Sequence, residues 1–268
     1  MILNIESGVL FLKTKDVSSC KKILRETKDE IEKFGYNIDN QVHSSYYKVE
    51  SEYFKVTESP NEYYKSALLY LAYTPLEDFS LLEQQTIAFD LGLSALLGDR
   101  IYNFGELLGH PVVDSLKKSQ AEWLLKLLFS FNKGNIKDYK EITSSTNLSS
   151  PIKQKLSFLN EKIQLMSLME LVFTRLAGDR TIQFKEISNV TDSNIDHVEI
   201  LLLKALSLNL IKGTIDQVEE NIYVSWVQPR VLDLDQVHSL TSKIGNWVEK
   251  VENTLNFLEK EGKLTTIQ

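Results

Sequence analysis

Chain breakers are scarce in this sequence: 268 residues contain five Pro and eleven Gly. A chain so poor in breakers favours long helices over a loop-rich all-β fold. Cysteine is nearly absent. The single Cys20 cannot form an internal disulfide or a multi-cysteine metal site, so a reducing compartment is expected. Positive charge is not in excess either, with 30 Lys and Arg against 37 Asp and Glu, a formal charge of -7 and a pI near 5.3. That balance opposes attraction to phosphate backbones and anionic lipid, so neither nucleic acid nor membrane is an expected partner. No uninterrupted apolar run approaches the roughly 18 to 20 residues of a membrane span. The start, Met1 to Gly8, lacks a basic segment, and Val9 to Leu12 is too short for a signal-peptide core. The expected location is cytoplasmic and nuclear.

The residues that mark catalysis are also thin. His43, His110, His197 and His238 are scattered, and none sits in an HExxH or HxH spacing. Gly105 to His110 lacks the Lys-Ser/Thr that completes a phosphate-binding loop. Cys20, between Ser18-Ser19 and Lys21-Lys22, lies in an ordinary amphipathic helical pattern with no neighbouring base. No enzymatic activity, metal or cofactor is expected.

What is present is helical periodicity. Hydrophobic residues make up 43% and charged residues 25%, an ordinary globular mixture that should fold around a core. Helices are predicted at about Leu3 to Leu12 and Val17 to Phe34, the second ended by Gly35 as a C-cap. Val42, Tyr46, Val49, Tyr53 and Val56 are spaced by three and four, which places them on one helical face. Ser59-Pro60 restarts the chain, Tyr64, Ala67, Leu68, Leu71 and Ala72 form the next apolar face, and Thr74-Pro75 stops it. Segments Leu81 to Leu97 and Ala121 to Phe131 follow. The pattern predicts a right-handed helical-repeat array of the tetratricopeptide kind over residues 1–150, with an irregular helical bundle as the alternative.

The texture changes at Ser149-Ser150-Pro151. A helix from Ile152 opens with the stripe Leu156, Leu159, Ile163, then turns apolar nearly all round at Leu165, Met166, Leu168, Met169, Leu171, Val172 and Phe173. Such a helix must be covered on most sides. Next come a short β-prone run at Thr181 to Phe184, a helix over Lys185 to Val190, and a second helix capped by Thr191-Asp192-Ser193 and running to about Leu208. The strands Lys212 to Val218 and Ile222 to Val227 flank a turn at Glu219-Glu220-Asn221. Strand, helix, helix, hairpin is the order of a winged helix, so residues 151–231 are predicted to hold a linking helix and this module. Residues 232–268 are predicted to hold a last helix, about Leu234 to Glu259, with a seam of Val237, Leu240, Ile244, Trp247, Val251, Leu255 and Leu258 that a lone helix cannot bury.

Three phrases carry a resemblance: Leu96 to Leu108 (LLGDRIYNFGELL), Leu208 to Val218 (LNLIKGTIDQV) and Ser225 to Val231 (SWVQPRV). Together they resemble the PCI-domain subunits of the 26S proteasome lid, over about Tyr46 to Gln268. The resemblance implies a PCI domain over about residues 60–231 and a non-catalytic scaffold role in a hetero-oligomer that degrades ubiquitinated proteins. It also implies pairing with other lid subunits through the winged helix and gathering of C-terminal helices into a bundle, along with further helices ahead of Leu3 to Phe34 in family members. The lid's metalloprotease motif, His-x-His, is absent.

Alternatives are a PCI subunit of a sister complex, the signalosome or initiation factor three, and a winged-helix nucleic-acid adaptor. Charge opposes the last: from Arg180 to Arg230 five basic residues face seven acids, a net of -2. The expected interface residues are Tyr223, Ser225, Trp226, Gln228 and Arg230 at the winged-helix edge, and Leu240, Ile244, Trp247, Val251, Leu255 and Leu258 on the last helix. Strand alternation puts Tyr223 and Trp226 on opposite faces. Trp226 is thus either core or interface, and the resemblance favours a sheet-edge contact. The seam itself either joins a multi-helix bundle or folds back on the winged helix.

Overall fold

A computed structural model describes residues 2–34, 38–117, 119–145, 150–175, 180–231 and 234–265. Its contacts divide the chain into two units, Met1–Pro229 and Arg230–Gln268.

The first unit opens with helices α1 (Ile2–Lys13), α2 (Val17–Phe34) and α3 (Asn40–Val56). Asp39 caps α3 by accepting a hydrogen bond from the Gln41 backbone N–H at 3.2 Å. A small core of Ile5, Cys20, Leu24, Val42, Tyr46, Val49 and Tyr53 joins the three helices. Val56 departs from the predicted stripe, being 54% exposed at the helix end. Gly35, the predicted cap of α2, lies outside the described residues.

Helix α4 (Pro60–Tyr73) begins with Pro60 in its first turn and ends at Thr74. Tyr64, Ala67 and Leu71 are buried, whereas Ala72 faces solvent. Helix α5 (Leu81–Leu97) is fixed at its start by a reciprocal capping box between Ser80 and Glu83. Three elements that the apolar spacing did not reveal come next: α6 (Phe104–Leu108), a 3₁₀ turn over Pro111–Leu116 and, after α7 (Glu122–Lys133), α8 (Ile136–Ser145). The predicted continuous helix from Ile152 is broken at Lys155 into α9 (Ser150–Gln154) and α10 (Leu156–Thr174).

The winged module consists of β1 (Thr181–Gln183), α11 (Phe184–Thr191), α12 (Ile195–Ser207), β2 (Ile211–Asp216) and β3 (Asn221–Val227). Thr191 closes α11 and Asp192 turns left-handed, so the cap of α12 is Asn194, three residues later than Thr191. The sheet is antiparallel in the order β1-β3-β2, and the hairpin turn is Gln217 to Glu220. One large core extends from Tyr63 of α4 to Val224 of β3, so the array and the module share a continuous apolar interior. Leu165, Met166, Leu168 and Met169 of α10 lie within it at 0 to 2% exposure. The C-terminal end of α10, Leu171 to Phe173, is half-buried.

The second unit carries one long helix, α13 (Leu234–Thr265). The chain is thus mostly helical: helical repeats, a winged-helix module and a long C-terminal helix.

Candidate protein-binding surfaces

One buried cation that fixes the first unit lies outside every expected site. Lys162 of α10 is 1% exposed, and its ammonium donates to the carbonyls of Ala95 (2.7 Å), Leu96 (3.1 Å) and Gly98 (2.5 Å) at the end of α5. Those carbonyls have no partner within their own helix, and a cation there also meets the negative end of the helix dipole. The rings of Tyr102, Phe104 and Phe158 lie 5.3 to 5.7 Å from the same nitrogen. Burial pulls its pKa down to about 7, while the nearby Asp99 carboxylate acts to raise it. The phrase Leu96 to Leu108 is therefore a cradle for one lysine. Its Ile101, Tyr102, Phe104 and Leu107 are buried, and Asp99 and the Arg100 backbone N–H both bond Asn61 of α4.

Two glycines set close backbone approaches. Gly134 ends α7 at φ +62°, and a Cβ there would stand 2.6 Å from the Ser167 Cα of α10. Gly213 of β2 lies so near β3 that a Cβ would meet the Tyr223 carbonyl oxygen at 2.3 Å. Gly213 also adjoins a register shift, where Lys212 pairs with Trp226 and Gly213 with Val224. Ser225 is the extra residue of this β-bulge.

The bulge and the strand order each correct one expectation about the wing. Tyr223 and Trp226 do not lie on opposite faces. The extra residue resets the alternation, leaving Tyr223 50% and Trp226 39% exposed beside Ser225, while Ile222 and Val224 point into the core. Trp226 is covered on one side by Lys212, whose ammonium sits 5.0 Å from the ring centroid. The second correction concerns the edge. β3 is the central strand, paired on both sides, and Arg180 bonds the Ser225 carbonyl at 2.8 Å. Tyr223, Ser225 and Trp226 therefore mark an outward sheet face, and the longer edge strand is β2. Gln228 donates its backbone N–H to the Leu210 carbonyl at 2.8 Å, finishing the sheet. Arg230 opens the second unit and is half-buried.

In the second unit the expected seam is laid out along α13 with Leu240, Ile244, Trp247, Val251, Leu255 and Leu258 at 42 to 65% exposure. Val237 and Val248 extend the same apolar surface.

Among the described residues no group of three or more His, Cys, Asp or Glu could hold a metal ion. Cys20 is buried, and burial with nearby Asp16 and Glu52 pushes its thiol up to about 11, away from the reactive thiolate. His110 is half-buried and held below its ordinary pKa by desolvation; its Nδ1 accepts from the Val112 backbone N–H and caps the 3₁₀ turn. No described helix is long and apolar enough to cross a membrane.

Comparison with known proteins accords with this architecture. The family described as PSD13 N-terminal repeats matches residues 1–128, and the PCI domain matches residues 136–226. The chain is 43% identical to 26S proteasome non-ATPase regulatory subunit 13 homolog A of Arabidopsis thaliana, covering 97% of this chain and 68% of that protein. It is 37% identical to 26S proteasome non-ATPase regulatory subunit 13 of Dictyostelium discoideum, over 97% of this chain and 67% of the relative. Against 26S proteasome regulatory subunit RPN9 of Saccharomyces cerevisiae identity is 35%, over 98% and 67%. The chain thus spans about two thirds of the length of these relatives.

Proposed function

The chain belongs to the family of 26S proteasome non-ATPase regulatory subunit 13, and we propose that it acts as a non-catalytic scaffold in the lid of the regulatory particle. Membership makes it a PCI-domain regulatory subunit of an assembly rather than a free-standing factor. In this reading the helical array and winged module occupy residues 1–150 and 151–231, and the bundle helix residues 232–268. The module meets other PCI subunits through its outward sheet face and β2 edge, and α13 enters a bundle of lid helices. The protein resides in the cytoplasm and nucleus.

The observation that carries the proposal is the α13 seam. Fully burying a Leu or Ile side chain contributes roughly 1.5 to 3 kcal/mol, so six exposed seam residues hold a large unrealised stabilisation that a helical partner would supply. The net acidity of the winged module argues for protein over nucleic acid as its partner. Affinity purification of the tagged chain tests the proposal. Recovery of stoichiometric lid subunits is expected. Recovery of signalosome or initiation-factor subunits, or of nucleic acid released by salt, would overturn it.

A further inference from the structure

Helix α12 occupies the recognition position of the winged helix, and its two faces differ sharply. Val198, Leu201, Leu202 and Ala205 pack into the core, whereas Ile200 and Leu203 are 58% and 55% exposed on the opposite side. Beside them stands the wing turn, whose Val218 is 91% exposed. The turn is built rather than loose: the Asp216 carboxylate accepts from the Val218 and Glu219 backbone N–H groups, both at 3.1 Å. Gln217 then ties the turn to α12 by donating to the Glu199 carboxylate at 3.1 Å. The wing turn that carries Val218 is thereby tied to the helix that exposes Ile200 and Leu203.

Their surroundings are of one sign. From Asn194 to Glu220 there are five carboxylates, Asp196, Glu199, Asp216, Glu219 and Glu220, against two ammonium groups, a net of -3. Both cations are engaged elsewhere, Lys204 with Glu161 of α10 and Lys212 over the Trp226 ring. An apolar strip set among a net excess of carboxylates, two of which, Glu199 and Asp216, also accept hydrogen bonds within the face, selects its occupant by charge. Phosphate backbones and anionic lipid are repelled, and a second copy of the same face is repelled equally.

We propose that the α12 and wing-turn face docks a basic amphipathic segment of another protein, seating its apolar residues on Ile200, Leu203 and Val218 and its Lys or Arg against the carboxylate rim. The proposal rests on the reading of this chain as an assembly subunit. It differs from that reading in assigning a partner chemistry to a face which neither the outward sheet surface nor α13 includes.

A benzophenone side chain introduced in place of Leu203 in the full chain, photolysed within the purified regulatory particle, tests it. Mass spectrometry should identify a cross-linked segment of net positive charge with apolar residues at helical spacing. Leu203→Asp should leave the melting temperature unchanged, since the residue is exposed. With the benzophenone moved to Ile200, both Leu203→Asp and the pair Glu199→Lys and Glu219→Lys should lower the cross-linking yield about tenfold. A cross-link to an acidic or uncharged segment, to a second copy of the chain or to nucleic acid would overturn the proposal. So would a chain that enters the particle and forms no cross-link, which leaves the scaffold reading standing. A chain that fails to enter the particle at all would remove both.

Discussion

Helices α10 and α13 are both long and rich in large apolar residues, yet they end in opposite environments. In α10 the apolar residues occupy nearly every side, and Leu159, Ile163, Leu165, Met166, Leu168 and Met169 are at most 2% exposed. In α13 they recur by three and four along one stripe, and every described member from Val237 to Leu258 is more than 40% exposed. A helix that is apolar all round has to be enclosed by its own fold, because it offers no face to water. A striped helix keeps a polar face and tolerates solvent until a partner covers the stripe. The first pattern therefore serves folding, and the second is available for assembly.

The sharpest way to break this contrast is to disturb the enclosure of α10. Gly134→Ala forces a side chain against the Ser167 backbone at positive φ. Left-handed strain and overpacking together should cost on the order of 4 kcal/mol, lowering the melting temperature by roughly 10 °C. Lys162→Met keeps the volume and removes the ammonium, leaving the α5 carbonyls without their donor. The expected loss at pH 7 is about 1 to 3 kcal/mol by chemical denaturation.

The same lysine sharpens the contrast through pH. Its folded pKa, near 7, lies below the ordinary 10.5, so between those values the unfolded chain binds the proton that the folded chain releases. Stability of the wild type relative to Lys162→Met should therefore rise with pH from about 7 to 10.5, by up to about 1.4 kcal/mol per pH unit. It should be least below pH 7. A difference that is flat with pH would mean that the carbonyls and rings hold the folded pKa at its ordinary value. The smallest effects belong to α13: Val251→Ala or Leu255→Ala in the isolated chain should change unfolding free energy by no more than about 0.5 kcal/mol.

The long helices were legible in the sequence because they repeat the 3.6-residue period over several turns. Leu81–Leu97 coincides with the segment its pattern marks, and Val17–Phe34 lies where a helix of about those bounds is expected. Phe104–Leu108 and the 3₁₀ turn at Pro111–Leu116 span fewer than three turns each and offer too few repeats to register. Ile136–Ser145 carries only Ile136, Tyr139 and Ile142 as large apolar residues. The wing was legible as a hairpin, but its bulge was not. One inserted residue, Ser225, reverses the inward and outward sense of Trp226 while leaving local composition unchanged. Nor does strand order follow from chain order: the last strand inserted between the other two, which turned an expected edge into a centre. A proline at Tyr223 or Ser225 would thus break the ladder within the sheet, and a test of edge pairing belongs on β2. Lys162 had a readable signal that the stripe count passed over. Its helical neighbours at three and four residues, Phe158, Leu159, Leu165 and Met166, are all apolar, so its side chain had no route to solvent along the helix surface.

The claim that α13 serves assembly rather than folding is tested most directly by Ile244→Asp with Val251→Asp in the full chain. Two carboxylates in the stripe are harmless in water but costly if buried without partners. The account predicts an unchanged melting temperature for the isolated protein and loss of its incorporation into the regulatory particle. A double variant that melts lower in isolation, or that still assembles at wild-type levels, would contradict it.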